Sequence, residues 1–199
     1  MDYTMLVNRE NALSSDFVPK NLVIIDENEG NFRGTADPSV KPMCDRFVLE
    51  EFMKLQEYAR SAGYEFIICS GYRDYRYQQF IYAKNVREEG EEYASKYVAL
   101  PGTSEHQTGF AIDISAFHNG EYSDDLTEGE IEWLKANAYK FGFILRYPLG
   151  KEEITGYNYE PWHYRYVGPL AKELYDNNLT LEEYYLSKDY SGDISRKTM

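Results

Sequence analysis

The chain has 199 residues, 43% of them apolar, which is enough to bury the core of one domain without disulfide staples. A formal net charge of -13, with no run of Lys and Arg to make a basic stripe, repels a phosphate backbone and sets nucleic acid aside as a partner. No apolar segment approaches the roughly 20 residues that span a bilayer, and Met1 to Glu10 lacks the cationic start and apolar stretch of a secretory signal.

Read from Met1, the chain is therefore soluble and cytoplasmic; a leader or anchor ahead of Met1 would place it at the cell envelope instead. The first 40 residues, rich in Asn, Asp, Pro and Gly, read as an irregular wrapping segment around one short strand, Leu22 to Ile25. Val48, Phe52, Leu55, Ala59 and Ala62 then fall on one helical face, and Gly63 supplies the left-handed stop. Phe66 to Cys69 is a short buried strand, left through the turn Ser70-Gly71-Tyr72-Arg73. Both cysteines, Cys44 and Cys69, lie in apolar stretches and read as small buried hydrophobes rather than a disulfide.

Asp74 is placed to cap a helix carrying Gln78, Phe80 and Ile81, which runs into the solvated acidic stretch Glu88 to Glu92. A short helix over Tyr93 to Val98 follows, and Pro101 with Gly102 breaks the chain, so that a loop presents Ser104, Glu105 and His106. Phe110 to Ile114 alternates as a strand, which puts His106 and Asp113 on either side of a turn facing one cleft. Thr127 and Glu130 form a capping box ahead of Ile131, Leu134, Ala138 and Phe141, with Gly142 as the stop. Phe143 to Tyr147 and His163 to Val167 read as further strands, and Thr180 with Glu183 caps a last short helix. Residues 1–190 thus make one domain and 191–199 a frayed polar tail, in an α+β arrangement with a small antiparallel sheet.

Chemistry concentrates around the histidines, of which there are only three. His106 and Asp113 stand seven apart across a turn containing Gly109, and Glu160 stands three ahead of His163. A catalytic zinc site needs three nitrogen or oxygen ligands and one open position, and His106, Asp113 and His163 meet that requirement. It also needs a base that is not a ligand, a part Glu160 can take only if Pro161 bends the chain so that Glu160 and His163 face one metal. His118, in Ala116-Phe117-His118-Asn119-Gly120, has no such setting and reads as a loop histidine.

Together these segments resemble the VanY-like D-alanyl-D-alanine carboxypeptidases: Ser70-Gly71-Tyr72-Arg73, Ser104-Glu105-His106-Gln107-Thr108-Gly109-Phe110-Ala111-Ile112-Asp113, and Glu160-Pro161-Trp162-His163. Phe141 to Pro148, followed by Glu153-Ile154-Thr155-Gly156, looks most like the bifunctional VanXY type of glycopeptide resistance. The likeness runs from about Leu6 to Leu186. It implies a fold shared with the hedgehog N-terminal domain, a small antiparallel sheet flanked by helices around one zinc.

It also implies zinc ligands at His106, Asp113 and His163, a general base at Glu160, and oxyanion stabilisation by Arg73. Gln78 and Ser104 match positions that hold the free carboxylate of a terminal D-alanine. Arg73 reads alternatively as a surface salt-bridge partner of Asp74 or a neighbouring acid, and Trp162 equally as a cleft wall or as core packing. Tyr72, Tyr147 and Tyr159, three of the 20 tyrosines, are further wall candidates, and Arg76 has no matched role. The expected activity is zinc-dependent removal of D-alanine from peptidoglycan stem peptides or D-Ala-D-Ala-ended precursors, including the dipeptide. The rivals are an L,D-carboxypeptidase acting on tetrapeptide stems and a non-catalytic zinc-containing binding module, for which Glu160 and Arg73 would be superfluous.

Overall fold

The structure is a computed structural model that describes residues 2–26, 41–118, 121–123 and 125–188; the expected tail and the later part of the N-terminal wrap lie outside them. Strand β1 (Leu22–Ile24) pairs antiparallel with β2 (Met43–Asp45), which runs directly into helix α1 (Arg46–Ser61). The Asp45 carboxylate caps α1 by accepting from the Phe47 amide at 2.9 Å, and Gly63, at φ +86°, lets the chain turn away beyond its end. Strand β3 (Phe66–Ser70) follows, then α2 (Tyr75–Glu89), capped by Asp74 through the Tyr77 amide at 2.7 Å, and α3 (Glu91–Tyr97).

A 3-10 turn over Glu105–Thr108 closes on Gly109 and leads into β4 (Ala111–His118), with β5 (Glu121–Ser123) paired back onto it. Helix α4 (Glu128–Asn137) carries both reciprocal bonds of the Thr127/Glu130 capping box and continues as a 3-10 turn to Gly142. Beyond it come β6 (Phe143–Leu145), α5 (Glu152–Thr155), β7 (His163–Tyr166), α6 (Leu170–Asn177) and a helix over 181–188. Thr180 and Glu183 cap that last helix reciprocally, at 2.8 and 3.2 Å.

The main sheet is antiparallel in the order β3-β4-β7-β6. Alternation along its strands makes two chemically distinct faces. Ile112, Ile114 and Ala116 of β4, with Phe66, Ile68, Phe143 and Tyr164, bury against Val48, Phe52, Leu55 and Ala59 of α1. Burying a side chain such as Phe52 contributes about 1.5–3 kcal/mol, so this layer fixes the sheet. The opposite face receives Asp113 and Ser115 from β4 and His163 and Arg165 from β7, all polar. One face is therefore a core and the other a platform for charge.

Several expectations are corrected. β4 extends to His118 because β5 pairs with its far end, and His118 is no loop histidine: its Nε2 lies 2.7 Å from Glu130 Oε1, tying β4 to the capping box of α4. Cys44 is buried, but Cys69 is only half-buried, with its thiol directed at the Asp113 carbonyl at 3.4 Å. β6 covers Phe143–Leu145, short of Tyr147; the Arg146 amide still donates to the His163 carbonyl at 3.1 Å, and the Arg146 side chain is buried.

Candidate active site

Register brings the first two key groups together: Asp113 is the cross-strand partner of His163 on β7 and, on its other side, of Ser70 on β3. The third comes from the 3-10 turn, where His106 Nδ1 lies 2.7 Å from the Gly71 carbonyl oxygen. A carbonyl only accepts, so the proton is on Nδ1 and the Nε2 lone pair is free. Gly71 is glycine for a physical reason: a Cβ there would overlap the Met43 carbonyl oxygen of β2.

His106 Nε2 is 3.4 Å and His163 Nδ1 3.1 Å from the same Asp113 oxygen. Among the described residues, His106, Asp113 and His163 form a group whose ligand atoms all lie within 4.8 Å of one another. His106 Nε2 is buried and has no hydrogen-bond partner, a cost relieved by a cation. Two imidazoles and a carboxylate form a catalytic zinc donor set with room for a fourth ligand, so these residues fit such an ion.

Electrostatics set His106 and Asp113 in their ligating forms and leave His163 a proton to lose. Burial, helped by the nearby Arg73 charge, lowers His106 to about 4, so it is neutral and able to coordinate at neutral pH. Burial opposes a charge on His163 as well, but its bonds to the carboxylates of Asp113 and Glu105 outweigh that and raise it to about 9. Burial likewise opposes the Asp113 charge, yet contact with the imidazoles of His106 and His163 holds it well below the usual carboxylate range.

Glu160 reaches the same place through a tight turn: the His163 amide donates to the Glu160 carbonyl at 3.1 Å, with Pro161 and Trp162 between them. This bend leaves the Glu160 carboxylate 3.9 Å from His163 Nδ1. At 5% exposure it is desolvated, and this burial, against the opposing charges of His163 and Arg73, raises its pKa to about 7. Arg73 follows on the loop from β3, half-buried, with its Nε shielded from water and without a hydrogen-bond partner. The alternative of an ion pair with Asp74 is not realised, since the Asp74 carboxylate caps α2.

The other expected contacts differ in setting. Gln78 is buried and its Nε2 donates to the Ala99 carbonyl at 2.8 Å, bracing the loop that precedes Ser104, while its Oε1 is unpartnered. Ser104 is buried at the start of the 3-10 turn, and its hydroxyl makes no capping bond. Tyr147 lies against His163 with ring centroids 4.8 Å apart, whereas Tyr72, Tyr159 and Trp162 are half-buried nearby in sequence to the key groups. Arg76 is exposed.

One group went unread in the sequence. Glu105, beside His106, is fully enclosed and places its Oε2 3.5 Å from His163 Nε2. Burial pushes its pKa up, but Arg146 and Arg165 overcome this and hold it well below the carboxylate range. Arg146 donates from Nε to Glu105 at 2.7 Å and from both terminal nitrogens to Glu182 at 2.8 and 2.6 Å.

The family model for VanY, D-alanyl-D-alanine carboxypeptidase, matches residues 42–169, which hold every residue of the cluster. The chain belongs to the VanY family. A putative carboxypeptidase, YodJ of Bacillus subtilis (strain 168), is 43% identical over 183 residues, covering 90% of this chain and 66% of the relative. The bifunctional D-Ala-D-Ala dipeptidase and D-Ala-D-Ala carboxypeptidase VanXYC of Enterococcus gallinarum is 33% identical over 206 residues, covering 99% of both. The chain thus spans about two thirds of the first relative and nearly all of the second.

Among solved structures, the LdcB LD-carboxypeptidase superposes with a TM-score of 0.76 at 42% identity, covering 90% of this chain and 84% of its own. A point mutant of the D,D-pentapeptidase VanY from a VanB-type resistance cassette, in complex with Zn(II), gives a TM-score of 0.77 at 35% identity, covering 93% and 99%. The mixed helix and sheet architecture expected for the family is the one observed. Among the described residues, no helix is long and apolar enough to cross a membrane.

Proposed function

We propose that this chain is a zinc-dependent D,D-carboxypeptidase that removes the terminal D-alanine from peptidoglycan stem peptides or their D-Ala-D-Ala-ended precursors, working as one domain over residues 1–190. The observation carrying the reading is the convergence of His106, Asp113 and His163 on one point, with the carboxylate of Glu160, not needed as a ligand, beside them. Zinc held by these three residues would supply Lewis acidity, making water nucleophilic near neutral pH and withdrawing charge from the scissile carbonyl.

In this reading Glu160 takes the proton of the attacking water and later delivers it to the departing D-alanine nitrogen. Its desolvated setting, with a pKa near 7, suits a group that must both accept and return a proton. Arg73, whose buried Nε has no partner, donates to the oxygen on which charge develops. Ser104 and the Gln78 amide, already braced against Ala99, receive the substrate carboxylate, and Tyr72, Tyr147 and Trp162 wall the cleft.

The 42% identity to LdcB favours a second reading, L,D-carboxypeptidase activity on tetrapeptide stems by the same machinery. The two separate in one assay. The purified protein is incubated with D-Ala-D-Ala, a pentapeptide stem and a tetrapeptide stem, with and without a chelator, and released D-alanine is measured. Chelator-sensitive release from the pentapeptide or the dipeptide is expected. Release from the tetrapeptide alone would transfer the assignment to the L,D class, and release from none would end both readings.

A further inference from the structure

We infer that Glu105 is a positioning residue for the metal cluster: its carboxylate receives the Nε2–H of His163, reserving Nδ1 for the cation, while Arg146, clamped by Glu182, holds that carboxylate in place. The inference rests on the metallopeptidase reading and extends it to groups beyond the ligands.

Geometry selects the nitrogen. His163 Nδ1 faces Asp113 at 3.1 Å and Glu160 at 3.9 Å, whereas Nε2 faces Glu105 at 3.5 Å. The two cluster histidines are therefore oriented oppositely: His106 is anchored through Nδ1 on the Gly71 carbonyl and turns Nε2 to Asp113, whereas His163 turns Nδ1 to Asp113 and Nε2 to Glu105. His163 Nε2 and Glu105 Oε2 are both buried, make no hydrogen bond elsewhere and face each other at 3.5 Å, so a small approach lets each satisfy the other. A carboxylate on the far nitrogen fixes the tautomer and makes the ligating nitrogen more basic.

The network behind Glu105 is costly unless orientation is its purpose. Arg165 Nη1 lies 2.9 Å from Glu105 and its Nη2 is tied to the Tyr3 and Met5 carbonyls at 3.1 and 2.8 Å. Arg146 is gripped by Glu182 on the helix over 181–188, and Asn8 donates to the same Glu182 at 3.2 Å. Glu105, Arg146 and Arg165 are essentially inaccessible to water and Glu182 nearly so. Buried ion pairs of this kind are often matched or bettered in stability by apolar side chains, so stability alone is a poor account of them. Through them the two ends of the described chain brace one imidazole.

The test compares wild type with Glu105→Gln and Glu182→Gln. Zinc affinity is measured by competition with a chromophoric chelator well below the unfolding transition, and the imidazole nitrogens of His163 are observed by 15N NMR in the zinc-loaded protein. Glu105→Gln is expected to weaken zinc binding by roughly 10- to 100-fold, with faster exchange of the His163 Nε2 proton. Glu182→Gln leaves Glu105 in place and is expected to move both readouts in the same direction by a smaller factor. Should Glu105→Gln fail to fold, Glu182→Gln decides alone. Lowered thermal stability with unchanged zinc affinity and an unchanged His163 signal would reduce the network to a structural one and overturn the inference. Failure of the wild type to bind zinc would overturn the metallopeptidase reading and this inference with it.

Discussion

Replacing Glu160 with glutamine should stabilise the metal-free protein at alkaline pH. In that state burial raises the Glu160 carboxyl from an ordinary 4.5 to about 7. A carboxyl with a folded pKa above its unfolded one imposes no cost below pH 4.5, where both states are protonated, and a cost that grows between pH 4.5 and 7 and then levels off. Above both values, the full shift is worth about 3 kcal/mol of lost stability. Glu160→Gln has nearly the same shape and no charge, so at pH 8 it should recover up to that amount, roughly 6–12 °C in Tm for a chain of this size. The assay is thermal unfolding of chelator-treated wild type and variant from pH 4.5 to 8.5. The Tm advantage of the variant should be absent at the acid end, grow up to about pH 7 and level off beyond it, and zinc should shrink it, because a cation beside the carboxylate favours the ionised form. A constant difference across pH, or a variant less stable at pH 8, would refute the reasoning. The same variant should keep its zinc while losing activity by orders of magnitude, which would make the group that costs stability the one proposed for proton transfer.

Zinc binding should release protons. His163 is protonated below about 9 and must give up Nδ1–H to coordinate, so apparent affinity should rise about tenfold per pH unit between pH 6 and 8. Calorimetry in buffers of different ionisation enthalpy measures the release, and a pH-independent affinity would contradict it. Arg73→Ala should chiefly lower kcat, by about 10²- to 10³-fold, with KM little changed, as steady-state kinetics on the preferred peptide would report. Gly71→Ala should weaken zinc binding and lower Tm together, because the added methyl group drives the carbonyl that anchors His106 away from β2; a calorimetric scan and a zinc titration check it.

Much of the fold was legible because its signals are local. Asp74 and the Thr127/Glu130 pair announce helix starts by side chains within three residues of the amides they cap, and Gly63 and Gly142 mark stops by backbone freedom. The bend at Pro161 was legible too, since Glu160 and His163 cannot otherwise face one ion. What escaped was long-range. Glu105 stands in the motif beside His106 with no role of its own, and only the folded sheet brings Arg146 and Arg165 to it and Glu182 to Arg146. His118 reads as a loop residue because its partner, Glu130, is already committed to a cap in the sequence pattern. Gln78 reads as a pure substrate contact because the need of the Ala99 carbonyl for a donor is visible only in three dimensions.

The central claim is that one divalent ion sits among His106, Asp113 and His163. X-ray absorption and anomalous scattering at the zinc edge, on protein loaded with one equivalent, address it directly. The account predicts a single site within about 2.0–2.2 Å of two imidazole nitrogens and one carboxylate oxygen from these residues, absent from His106→Ala. Zinc bound elsewhere, or bound equally well by His106→Ala, would contradict it.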